Sequence, residues 1–287
     1  MKKKSFIVCL VAALMVFAML PAQASAASKH EKALNKLKFS GVSKYDTKLP
    51  SNGKKQSNKQ FQKAYSKAIK NTKQSKKGNT WYGTSLHFNK QKDAESGEWV
   101  ISSASKSKYW SKIANGKDFH ASRGESTQLK DWNGKLNQKP QLYISTEDKK
   151  YYHNYGWQKK SKKGSHTRSR KKKAASGDNN NAGTGTGKTK RSNYIIYKDQ
   201  KVLGQKCFVY SYVETYTSKS GNTTNTTTNT HYIWQSRKTG SQIKSVDVND
   251  NGNYTSTSIS FTQKRVNKKA SFYKVPKSVK FKRTTYS

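Results

Sequence analysis

Acidic side chains are scarce in this chain: 15 Asp and Glu stand against 58 Lys and Arg in 287 residues, a formal net charge of +43. Hydrolysis of a glycosidic bond needs two carboxyl groups facing across a cleft, and the few acids here fall mostly in turns, so no pair can be nominated. Cysteine is scarcer still, limited to Cys9 and Cys207. Cys9 lies inside the first apolar run, too early and without the small-residue context of a lipid-modified cysteine. Once that run is removed Cys207 is alone, so no intramolecular disulfide can hold the mature fold and hydrophobic burial must do so. The histidines, His30, His87, His120, His153, His166 and His231, show neither HxxxH nor HExxH spacing, which leaves no zinc site or other cofactor to nominate.

Long apolar runs are also missing beyond Phe6–Leu20. That run follows Lys2-Lys3-Lys4 and precedes "PAQASA", the order of a secretory signal, so residues 1–26 read as a leader and the mature chain as exported and soluble. It is too short to span a bilayer and nothing after it resembles a stop-transfer segment. An exported protein of this charge meets anionic wall polymers and lipid headgroups before it meets nucleic acid, which is the less favoured partner. The expected location is secreted and extracytoplasmic, with retention at a bacterial cell wall and diffusion away both open.

Residues 27–75 carry apolar positions at helical spacing, Ala33, Leu34 and Leu37, then Phe61, Ala64, Tyr65, Ala68 and Ile69, and predict two short helices. From Thr80 the pattern turns to aromatic and β-branched residues alternating with polar ones, the period of strands. "SKYWSKIANG" has the spacing of a short helix or turn. "QLYISTEDKKYYHNYGWQKK" predicts a hairpin turning at Glu147 and Asp148. Residues 158–193 are almost free of apolar side chains and predict a basic, Gly/Asn-rich loop whose stretch 159–173 could be deleted without harm to the fold. "GTGTGKT" within it lacks the parent strand and following helix of a phosphate-binding loop. "NTTNTTTNT", with sequons at Asn222 and Asn225, predicts a polar hairpin loop without function. The segments from Tyr194 onward predict an antiparallel meander, with Phe208, Tyr210 and Tyr212 on one face of a strand and Cys207, Val209 and Val213 on the other.

The hairpin "LYISTEDKKYYHNYGWQK", the later strands "LGQKCFVYSYVET" and "HYIWQSRKTGSQIKSVDV" with Gly240 closing the turn, and "FTQKRVNKKASFYKVPKSVKF" with its Phe-x-x-x-Pro finish resemble, in order, the LolA-like lipoprotein-carrier family over roughly residues 76–287. The resemblance implies a mainly β (α+β) fold: a curved antiparallel half-barrel whose open side the N-terminal helices cover. It also implies a concavity that shelters a lipid or other amphipathic ligand without catalysis. The large apolar side chains expected to line it are Trp81, Trp99, Tyr143, Tyr152, Trp157, Phe208, Tyr210, Tyr212, Ile233 and Trp234. The Lys/Arg run Lys159, Lys160, Lys162, Lys163, Arg168, Arg170, Lys171, Lys172 and Lys173 is the expected contact with an anionic polymer or membrane surface.

Two other readings compete with the carrier. One is a surface protein that binds a cell-wall polymer and holds no lipid. The other is a secreted nuclease-like hydrolase built on "DFHASRGES", where Asp118, His120, Arg123 and Glu125 supply an acid, a base and a phosphate-binding cation.

Overall fold

The computed structural model describes residues 21–69, 80–113, 120–148, 150–171, 188–220, 223–266 and 268–286. The leader's apolar run, Asp118, Lys172, Lys173, Asn222 and most of "GTGTGKT" lie outside them.

The described residues form one curved, unclosed sheet of 13 strands with few helices, the mainly β half-barrel expected. In chain order the strands are β1 (Lys54–Gln56), β2 (Thr80–Lys92), β3 (Trp99–Ile113), β4 (His120–Lys130), β5 (Gln141–Glu147), β6 (Tyr151–Gln158), β7 (Lys163–Arg170), β8 (Lys188–Val202), β9 (Gln205–Ser220), β10 (Thr223–Ser236), β11 (Gln242–Asn249), β12 (Tyr254–Val266) and β13 (Lys280–Tyr286). Their order in the sheet is β1-β8-β9-β10-β11-β12-β2-β3-β4-β5-β6-β7-β13. Two runs of consecutive hairpins, β2–β7 and β8–β12, therefore meet at one antiparallel seam between β12 and β2. The last strand joins β7 in parallel.

Helix α1 (Pro21–Lys36) and a 3-10 helix (Phe39–Tyr45) cover one face across that seam. Leu34 and Val42 are buried against Leu86 and Phe88 of β2, Ala104 of β3, Leu129 of β4 and Ile259 and Phe261 of β12. Each such aliphatic side chain contributes about 1.5–3 kcal/mol by leaving water. Lys106 of β3 fixes the end of α1, its Nζ donating to the carbonyls of Leu34, Asn35 and Leu37 at 3.2, 2.7 and 2.8 Å. A cation at a helix C-terminus satisfies carbonyls that have no intrahelical partner. We call this covered face the inner face.

Helix α2 (Asn58–Ala68) starts in a capping box between Ser57 and Gln60. It packs on the opposite, outer face of β8 and β9, where Phe61 stacks on Tyr194 at 4.4 Å between centroids and reaches Tyr210 at 5.1 Å. The helices thus clothe different faces of the sheet.

Three local expectations are corrected. "SKYWSKI" continues β3 as far as Ile113, because it pairs along its length with β2 and β4 and tertiary pairing overrides a weak helical spacing. Residues 163–170, expected in the basic loop, are strand β7, held between β6 and β13, and residues 188–193 open β8. Deleting 159–173 would remove a strand, including the buried His166. The threonine stretch 223–230 is not a loop but the first half of β10, paired residue for residue with β9, as β-branched side chains favour.

Candidate functional site: a groove beneath the C-terminal segment

Residues directly opposite one another on neighbouring strands share a face, so the register assigns each side chain. Lys112 of β3 stands opposite Ala121 of β4, and Thr146 of β5 stands opposite His153 of β6. These inner-face positions, with Glu147, Asp148 and Tyr155, form the floor of a groove of about 620 Å³. Its roof is Ala270, Tyr273, Lys274 and Val275, from a 3-10 helix (Ala270–Tyr273) and the residues after it.

The roof is clamped from below. Arg123 of β4 donates from Nη1 to the carbonyl of Phe272 at 2.9 Å and lies 4.7 Å from that ring's centroid. Trp110 of β3 meets the same ring edge-on at 5.3 Å. Tyr273 is buried and donates from its hydroxyl to Thr80 at 3.3 Å. The remaining inner surface over β2, β3 and β12 is filled by α1 and the Phe39–Tyr45 helix. A smaller cavity of about 190 Å³ lies at the end of α1, between Leu34, Lys106, Glu125 and Pro140.

One end of the groove is polar. His153 bonds Asp148 through Nε2 at 2.9 Å and His166 of β7 through Nδ1 at 3.1 Å. His166 is buried and stacks on Tyr155 at 4.2 Å. Burial, followed by the charges of His153, Arg283 and Arg168, holds the His166 imidazole below its usual value. The hydrogen bond from His153, with backbone donors of Lys150 and Tyr151, pulls Asp148 down to about 2. Glu147 borders the groove at the end of β5, but its side chain, opposite Tyr152 in register, belongs to the outer face, where it is buried and pairs with Lys171 at 2.8 Å. Among the described residues no group of His, Cys, Asp and Glu is arranged to hold a metal ion.

The side chains expected to line a single concavity are split between the faces. Trp157 and Trp234 are buried on the inner face, Trp157 against Phe281 and Trp234 with its Nε1 donating to Gln200 at 2.7 Å. Trp99 stands exposed at the rim beside Lys90. Phe208, Tyr210, Tyr212 and Ile233 belong to the outer face, the first three in the cluster under α2. Trp81, Tyr143 and Tyr152 also fall on the outer face, opposite Ser111, Gly156 and Ser169 in register. Successive residues of a strand point to opposite faces, and hydrophobic size alone does not say which face a side chain takes. The groove residues that this reading missed, Ala121, Tyr155, Tyr273 and Val275, include small side chains that carry no sequence signal of a site.

The basic run is likewise divided. Lys159, Lys160 and Lys162 form the β6–β7 turn and Lys163 begins β7, whereas Arg168, Arg170 and Lys171 lie at its far end. Arg168 lies over Tyr151 at 4.1 Å and Lys171 over Tyr152 at 5.0 Å. Of the nuclease-like set, Arg123 is committed to the roof clamp, and Glu125 lines the smaller cavity opposite Lys108 in register. The side chain of His120 lies outside the described residues.

No protein-family model matches the chain, and a search of curated proteins finds no match. Among solved structures, MucB in the MucA/MucB complex of Pseudomonas aeruginosa is similar at 10% identity and a TM-score of 0.31 over 70% of this chain and 57% of that one. The match thus spans just over half of MucB. A DUF1329 family protein from Desulfovibrio piger is similar at 8% identity and a TM-score of 0.29, over 74% of this chain and 96% of that one. A protein described as an outer membrane lipoprotein-sorting domain from Vibrio parahaemolyticus is similar at 10% identity and a TM-score of 0.26, over 74% and 94%. Likeness of this degree carries no argument about ligand or activity. The class of the molecule, a mainly β protein built on one curved, unclosed half-barrel sheet, stands on its own strands and helices.

Proposed function

We propose that the chain is an exported, non-enzymatic binding protein that shelters the apolar part of a lipid-like, amphipathic ligand in the groove beneath residues 270–275, and that it works at an anionic surface. The observation that carries this reading is the groove itself: about 620 Å³ between Ala121, Tyr155, Tyr273 and Val275, with Lys112, Lys274 and His153 at its polar margin. That volume falls in the range of about 300–1,000 Å³ typical of small-molecule sites, and its mix of apolar walls with a few polar groups suits an amphiphile. Each methylene of an acyl chain buried there contributes roughly 0.8 kcal/mol, so retention needs no chemistry from the protein. The leader-like N-terminus and the net charge of +43 support export and an anionic partner.

The test is mass spectrometry of an organic extract from protein purified without detergent, alongside a Val275→Trp variant that fills the groove. A stoichiometric acyl lipid in the parent and its loss in the variant are expected. A folded parent that yields no lipid and takes up no fluorescent fatty acid overturns the reading in favour of a surface-binding protein with no lipid ligand.

A further inference from the structure

The connection between β4 and β5, residues 131–140, presents two large apolar side chains to water. Trp132 is 59% exposed and Leu136 51%, more than any other large apolar side chain among the described residues. The loop is built to hold them there. Asp131 gathers it around its carboxylate, accepting from the backbone of Asn133 at 3.0 Å and Lys135 at 2.8 Å and from the side chain of Gln138. Gly134 and Asn137 take the left-handed backbone that its turns require, with φ of +80° and +45°. Asn137 Oδ1 also accepts from the backbone of Phe39 at 3.2 Å. A pre-shaped loop keeps its tryptophan and leucine outward before any partner arrives, and so loses little entropy on docking.

Lysines ring this loop because backbone bonds join three segments at the same end of the sheet. Lys159 donates to the carbonyl of Pro140 at 2.9 Å, tying the β6–β7 turn to the loop, and Lys280 donates to the carbonyl of Lys162 at 2.8 Å, tying on the edge strand. Lys163 stands directly opposite Lys280 in the β7–β13 register. Like charges in that relation repel, and an anion between them relieves the repulsion. Residues 149–177 and 251–287 contain no acidic side chain. At the same end, the β2–β3 connection with Glu95 and Glu98 bounds the basic zone.

A polyanion would use the lysines but not Trp132 and Leu136. An apolar protein partner would use those two but leave the lysines uncompensated. A bilayer of anionic lipid uses both, because tryptophan settles at headgroup depth, leucine enters the acyl boundary, and each nearby lysine multiplies binding by a factor of about five. We propose that this end of the sheet docks on an anionic lipid bilayer, with Trp132 and Leu136 in the interface and the lysines of the β6–β7 turn and Lys280 on lipid phosphates. This specifies the anionic surface of the reading above and does not depend on the groove being loaded.

The full mature chain would be sedimented with vesicles of equal parts phosphatidylglycerol and phosphatidylcholine, and with phosphatidylcholine alone. Binding to the anionic vesicles only is expected, with quenching of tryptophan fluorescence by lipids brominated along the acyl chain. Trp132→Ala combined with Leu136→Ala should weaken binding about tenfold or more, whereas Trp132→Phe should bind nearly as the parent does and lose much of the quenching. Replacing Lys159, Lys160, Lys162 and Lys163 with Gln should weaken it by a comparable or larger factor. Absence of vesicle binding overturns the proposal. Binding that responds to the lysines but not to the Trp132 and Leu136 pair also overturns it, and marks a purely electrostatic contact such as a wall polymer. The Val275→Trp variant should bind vesicles as the parent does, so the groove and the docking surface fail or stand separately.

Discussion

His153 Nδ1 lies 3.1 Å from His166 Nε2, so of the two facing nitrogens one carries the proton and the other the lone pair. With His153 donating to Asp148 through Nε2, the neutral pair is satisfied when His166 donates to His153.

Acidification should therefore loosen the β6–β7 edge. The His166 value is lowered mainly by burial, so the unfolded chain binds a proton near pH 6.5, where the folded one does not. The unfolded state then holds more protons just below that pH, so the His166 contribution to stability falls as pH falls through that window and is level above it. The melting temperature of the parent should drop on going from about pH 7 to about pH 5, and His166→Gln should flatten that dependence. Equal slopes in both proteins would refute the assignment.

Glycine at position 124 should resist replacement. A Cβ there would meet Tyr143 Cζ at 2.0 Å, because that ring lies across Gly124 from the neighbouring strand, and Tyr109 covers Gly83 in the same way at 2.3 Å. Gly124→Ala should cost about 1–3 kcal/mol, the usual penalty for overpacking, unless the ring swings out to solvent. Urea denaturation gives the cost, and the fluorescence of the folded variant reports the ring.

Lys244 should be more useful to the fold without its charge. It is buried on the inner face, 4.7 Å over the Trp234 ring and bonded to Thr47, and burial lowers its value to about 8. Between that pH and the unfolded value the unfolded chain holds the extra proton, so stability rises with pH across the window. Below it the buried ammonium opposes folding throughout. Lys244→Met should raise stability at neutral pH by about 1–3 kcal/mol and remove the slope, as measured by denaturant melts across the alkaline range.

Charge and scaffold in residues 159–173 should separate cleanly. Deleting the stretch removes β7 and leaves β13 without its partner, so the product should fail to give a cooperative melt. The four-lysine Gln variant changes exposed side chains only and should melt within about 0.5 kcal/mol of the parent.

Much of the sheet was legible because alternation survives wherever one face is buried: the hairpin at Glu147–Asp148 and the turn closed by Gly240 lie where the sequence places them. β7 was hidden because its alternation is His166 and Arg168 against Ser and Thr, a polar strand that owes its place to neighbours on both sides. The candidate site was harder to read. Alternation separates Cys207 from Phe208 but says nothing of which set faces α1 and which faces α2. The groove depends on a roof contributed more than 100 residues from its floor in sequence, held by Arg123 on Phe272, and such a contact has no local signature. Trp132 was equally invisible as a docking residue, since only the fold shows how far it stands exposed among the described residues.

The seam between β12 and β2 sets the order in which this molecule can be assembled. Within each run of hairpins neighbours in space are neighbours along the chain and can zip up quickly, whereas the seam brings Thr80 to Val266 and Tyr254 to Gln91. Contacts of such separation are slow to find. Refolding should show two early amide-protected halves and one later step that protects β2 and β12 together. Because Leu34 and Val42 bridge the join, weakening that clasp should slow the late step and leave the early ones unchanged.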